Sequence, residues 1–143
     1  MKRFRQFREL PPAEKRLLVR TLAMVAGARI ALWTLPFRWV SRVVDVEPEV
    51  SSELAGMRVS RLAWAVQAAA GRIPRASCLT QALVLQRLMA RAGKRAELHI
   101  GVAKESGRGF EAHAWVEYGG SVVLGDNGEL ERYAPMLALR TEN

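Results

Sequence analysis

The chain has one cysteine, Cys78, and only two histidines, His99 and His113, in 143 residues. A single cysteine excludes an internal disulfide framework, and the Cys and His positions match none of the usual zinc-ligand spacings. Acidic residues are few beside basic ones, 14 against 22, which gives a formal charge of +8. Such an excess suits an anionic partner, whether nucleic acid, a membrane surface or an acidic peptide. There is no helix-turn-helix, zinc-finger or RNP motif to read bases, so no nucleic-acid partner is expected. Phosphate-binding glycine loops, internal repeats and low-complexity stretches are also missing. The longest apolar segment, residues 13–35, is interrupted by Arg20 and Arg29. No uncharged run reaches the ~18 residues of a membrane-spanning helix, so a crossing is not expected, and a membrane surface stays only among the partners that the basic charge suits. No signal-peptide pattern lies near the N-terminus, which leaves cytoplasmic residence as the expectation.

What is present is half hydrophobic by residue count. That composition and length predict one folded domain over residues 1–143, able to remove about two-thirds of its unfolded surface from water. A basic, apolar helical segment is expected over residues 1–45 and the core of the domain over residues 52–140. Lys2, Arg3, Arg5, Arg8, Lys15, Arg16 and Arg20 concentrate positive charge near the start. Leu17, Leu18, Leu22, Met24, Val25, Ile30, Leu32 and Trp33 predict a long helix, which Pro36 should end before a second short one from Phe37 to Val44. The acidic, proline- and serine-containing linker DVEPEVSSEL follows. A further helix is expected over residues 52–70, capped by Ser51 or Ser52. Trp33, Phe37, Trp39 and Trp64 read as core or helix-packing residues.

Two local patterns carry chemistry. In the first, Pro74 holds the chain extended, Ser77 is an N-cap, and CLTQALVLQRLMARAG forms an amphipathic helix ending at Gly93. Cys78 then occupies the first turn, where unpaired amides and the helix dipole favour a thiolate and could stabilise an oxyanion. In the second, Ala112 to Tyr118 and Ser121 to Asp126 are strand-like and flank Gly119-Gly120, a pair suited to a two-residue primed turn. That turn would place Tyr118 opposite Ser121, Trp115 opposite Leu124 and His113 opposite Asp126. Directly opposite Cβ atoms lie ~4.5–5.5 Å apart, so the carboxylate could hold one ring nitrogen and leave the other for a nucleophile. Before the hairpin, RAELHIGV alternates, with Ala96, Leu98, Ile100 and Val102 on one face and His99 on the other beside Arg95 and Glu97. His99 has no acid set opposite it and reads as structural or solvated. A lone cysteine in so apolar a chain is more often a small core residue. The conjunction of capped helix, thiol and His–Asp pair is what favours nucleophilic catalysis.

The order cysteine helix, strand, hairpin with histidine then aspartate is similar to that of the transglutaminase-like cysteine enzymes. More closely, CLTQALVLQRLMARAGKRAELHIGV followed by FEAHAWVEYGGSVVLGD resembles the leader peptidase of lasso peptide biosynthesis, the stand-alone C-terminal half of the lasso B protein. ARIALWTLPFRWVSRVV resembles the helical segment that precedes it there. The resemblance implies an α+β fold of transglutaminase-like, papain-like type, with N-terminal helices and a small antiparallel sheet packed on the catalytic helix. It implies a catalytic triad of Cys78, His113 and Asp126 that cleaves the leader from a ribosomally made precursor, with no metal or organic cofactor. It further implies a separate leader-recognition protein acting in trans and an ATP-dependent lasso cyclase that uses the product. Two other functions fit the same residues: a transglutaminase-like acyltransferase or amidase with a different substrate, and a non-catalytic basic helical adaptor for a peptide or membrane surface.

Overall fold

Pro12 opens the first helix, α1 (Pro12–Thr34), at a position where its missing N–H costs nothing. The helix stops where expected: Leu35, before Pro36, is extended with φ −114° and ψ 146°. A second helix, α2 (Phe37–Asp45), follows directly. A computed structural model describes residues 8–45, 48–105, 107 and 109–140. Lys2, Arg3 and Arg5, part of the linker and part of the loop ESGRG therefore lie outside the described residues.

The single helix expected over residues 52–70 is two, α3 (Ser52–Ala55) and α4 (Val59–Ala70). Gly56, a poor helix former, caps α3, and Arg58 is extended at φ −70° and ψ 145° before α4 starts. Lys94 Nζ donates to the Ala55 carbonyl at 3.1 Å, satisfying one group that the break leaves open. Ser51 is the N-cap of α3 but makes no side-chain capping bond.

The central helix, α5 (Cys78–Arg91), has the predicted boundaries. Ser77 Oγ accepts from Thr80 N at 3.2 Å at its start. At its end Gly93 takes φ +70°, with Lys94 N bonded to Met89 O and Gly93 N to Ala90 O, a Schellman closure. The helix packs on both α1 and α4 and on the sheet. Val25, Leu54, Leu62, Val66, Leu85, Leu88, Met89, Leu98 and Val116 are fully buried between these layers. Each large side chain so buried contributes about 1.5–3 kcal/mol relative to exposure.

The sheet is antiparallel with the order β3-β2-β1-β4: β1 (Glu97–Glu105), β2 (Gly109–Tyr118), β3 (Ser121–Leu124) and β4 (Ala134–Arg140). Leu98 and Ile100 of β1 and Ala114 and Val116 of β2 face the helices, while Ala103 and Trp115 join Tyr133 in a smaller cluster on the other face. β4 has no counterpart in the sequence-based expectations. Pro135 argues against a central strand, but β4 is an edge strand, where a missing N–H is tolerated. Buried Gln86 of α5 ties it down, donating Nε2 to the Leu139 carbonyl at 2.6 Å.

Two expectations about aromatic residues fail. Trp33 and Trp39 are 78% and 50% exposed, because the chain turns at Pro36 and no element among the described residues covers that corner. Trp64 packs against the main core as expected.

Candidate active site

Cys78 is a free thiol on the first turn of α5, half-buried at the margin of the main core. Its place follows from local chemistry: the Ser77 hydroxyl takes up a first-turn amide, and the extended backbone of Ser77 at φ −75° and ψ 167° starts the helix at the cysteine. The first-turn N–H groups around the thiol have no helical acceptor of their own.

The hairpin differs from its predicted register by one residue. Gly119 and Gly120 have φ +61° and +81°, as a type I′ turn requires, and Tyr118 pairs with Ser121 as expected. A bulge then shifts the ladder, so that Leu124 lies opposite Val116 instead of Trp115. Val123 is the extra residue, and β3 ends at Leu124. The expected direct pairing of His113 with Asp126 is therefore absent.

The imidazole is held by the backbone instead. His113 Nε2 lies 2.6 Å from the Gly125 carbonyl. A carbonyl only accepts, so Nε2 carries a proton, and in the neutral ring Nδ1 keeps the lone pair that a general base needs. Gly125 can approach this closely because it has no side chain: at φ +89°, a Cβ there would lie 2.8 Å from the Ala114 carbonyl. The ring stacks near Trp115, with centroids 6.2 Å apart, and tilts against Tyr133 at 5.2 Å. Burial pushes the Tyr133 phenol above its ordinary value, against the opposing effect of Asn127, whose Nδ2 donates to the phenol oxygen at 3.4 Å. Gly101, opposite His113 on β1, leaves the room: a Cβ there would come within 2.7 Å of Tyr133 Cβ and 3.1 Å of the Trp115 ring.

Asp126 is exposed, and its Oδ1 accepts from Gly128 N at 2.9 Å in an Asx turn. It follows directly on the residue that holds His113 but makes no hydrogen bond to the ring among the described residues. Cys78 and His113 are likewise not hydrogen-bonded to one another among the described residues. The imidazole shares its face of the sheet with Trp115 and Tyr133, whereas the thiol packs beside residues of the helix-facing core. His99, the other histidine, stacks on Trp115 at 5.5 Å, with Nε2 3.4 Å from Glu97 Oε2 and 3.6 Å from Glu117 Oε2.

Sequence reasoning missed the Gly125 carbonyl and Tyr133. The only signal for the first was a glycine immediately before the candidate aspartate; the second lies beyond the hairpin, where no element was expected.

No curated protein and no solved structure gives a match to this chain. A comparison with protein families matches residues 22–138 to the Transglutaminase-like superfamily. The match runs from the middle of α1 through the cysteine turn and into β4, and the α+β architecture is that of a transglutaminase-like domain. With most of its length so matched, the chain belongs to the transglutaminase-like superfamily.

Proposed function

We propose that this protein is a cysteine peptidase that removes the leader from a ribosomally synthesised lasso peptide precursor, before a separate cyclase forms the macrolactam. The observation that carries the reading is the sole cysteine on the side-chain-capped first turn of the central helix, in a superfamily that includes cysteine proteases and acyltransferases. The held tautomer of His113 supports it, because Nδ1 is left as the base. The resemblance of the cysteine helix and HAWVEY hairpin to lasso leader peptidases supplies the substrate.

In the proposed reaction Cys78 Sγ attacks the carbonyl carbon at the leader–core junction while Nδ1 of His113 takes the thiol proton. The C–N bond breaks as the imidazolium returns that proton to the leaving amine of the core. Water, deprotonated by His113, then hydrolyses the thioester and frees the leader acid and the thiol. The Cys78 N–H, on the first turn of α5, serves as an oxyanion donor in this reading. Asp126, next in the chain to the carbonyl that holds Nε2, is assigned the third place in the triad, stabilising the imidazolium by its charge rather than by a hydrogen bond. Proton transfer needs Sγ and Nδ1 within about 2.6–3.2 Å, and catalytic hydrogen bonds often tighten to that range only when substrate binds. A leader-recognition protein in trans presents the precursor, and the ATP-dependent cyclase receives the freed amine. No metal or organic cofactor enters these steps.

The separation of thiol and imidazole favours one second reading, a basic adaptor that binds a peptide without cutting it. Mass spectrometry of a lasso precursor incubated with the protein and its leader-binding partner decides between them. One cut at the leader–core junction, lost in Cys78→Ala, is the expected result. An uncut precursor that still binds would support the adaptor, and a leader acyl group transferred to an added amine would indicate an acyltransferase.

A further inference from the structure

The corner between α1 and α2 exposes apolar surface that the core does not use. Trp33 is 78% exposed, Ile30 60%, Leu35 51% and Trp39 50%. Leu35 and Trp39, but not Ile30 or Trp33, also border a groove of about 330 Å³ between α1, α2 and α5, lined by Met24, Ala28, Ala31, Leu83 and Val84. The charge of this region has one sign. Between Glu14 and Asp45 the chain carries Lys15, Arg16, Arg20, Arg29, Arg38 and Arg42 and no acid. Arg16 is paired with Glu53, but Arg38 and Arg42 stand exposed on α2, and the Arg42 guanidinium lies 5.2 Å over the Trp39 ring.

We propose that this corner docks on an anionic lipid surface, with Trp33 and Trp39 at headgroup level and Arg38 and Arg42 against the lipid phosphates. Tryptophan suits that boundary because its ring is apolar and its N–H is polar, and arginines beside it draw the protein to negative lipids. By length and hydropathy alone α1 could cross a bilayer. Leu17, Leu18, Thr21 and Val25 are in the protein core, however, so the folded helix lies along the surface rather than through it. This inference goes beyond the proposed peptidase reaction and does not depend on it.

The test is sedimentation of the whole protein with phosphatidylcholine vesicles, with and without phosphatidylglycerol, alongside Trp33→Ser and the double variant Arg38→Gln/Arg42→Gln. Circular dichroism checks that each variant keeps its helix content, and the arginine pair leaves the apolar surface untouched. Binding should require phosphatidylglycerol and weaken by about fivefold per arginine removed, or roughly 25-fold for the pair. Trp33→Ser should weaken it as well. Lack of binding to phosphatidylglycerol vesicles, or binding indifferent to both variants, overturns the proposal. So does a dimer in lipid-free buffer that Trp33→Ser abolishes, which would give the corner to a second copy. Protein that resists an alkaline carbonate wash would instead make α1 a spanning helix.

Discussion

Replacing Gly125 with alanine tests whether the backbone that holds His113 depends on the close approach seen here. Two costs combine at this position. A non-glycine residue at φ +89° carries strain of about 1–3 kcal/mol. The new methyl would also lie 2.8 Å from the Ala114 carbonyl and 3.0 Å from Trp115 Cα and Cβ, an overlap with main chain worth about another 1–3 kcal/mol. Gly128 is the control: its φ is +77°, but a Cβ there meets nothing within 4 Å, so Gly128→Ala carries the strain alone. The difference between the two variants is then the overlap term. For a chain of this size it should separate their melting temperatures by roughly 3–12 °C. Thermal denaturation followed by circular dichroism measures it, and turnover on a precursor should fall further in Gly125→Ala because the carbonyl moves away from Nε2. If the two variants melt within about 1 °C of each other, the packing argument at Gly125 is wrong.

Three further predictions concern Asp126, Gln86 and Gly27. Asp126→Asn keeps an acceptor for Gly128 N but loses the charge, whereas Asp126→Ala loses both. A carboxylate that stabilises the imidazolium predicts slow turnover in both variants with little change in peptide binding, and normal turnover in Asp126→Asn would reduce the residue to a turn former. Gln86→Leu removes the amide bonded to Leu139 O, so it should cost roughly 1–3 kcal/mol and speed hydrogen exchange along β4; unchanged β4 protection would show that the strand does not rely on it. Gly27→Ala should stabilise the protein by about 0.5–1 kcal/mol in a denaturant titration, since the glycine sits inside α1 with open space around its missing Cβ, and a loss of stability would contradict that geometry.

What could be read in the sequence was what local chemistry decides. Ser77 before Cys78 marks a helix start because the cap bond spans three residues, and Gly119-Gly120 marks the turn because both need positive φ. The bulge at Val123 was not legible: it depends on Gly125 settling against Ala114 and Trp115. One inserted residue moved Asp126 from its expected place and brought the Gly125 carbonyl to the ring. The exposure of Trp33 was hidden for a similar reason, since apolar spacing in α1 cannot say which side of the helix another element will cover. β4 was missed because its pairing partner is remote in the chain, and Pro135 is tolerated in it only because the strand lies at the edge of the sheet.

The strand order also fixes a sequence of events during synthesis. β3 folds onto its neighbour β2 through a two-residue turn, but β4 must pass the whole hairpin to reach the far side of β1. Until it arrives, one rim of β1 is an open row of amides and carbonyls, able to recruit a strand from another nascent chain. The most exposed strand of the finished molecule is thus the one that ends this hazard, and a chain stalled before Ala134 would be the form most prone to aggregate.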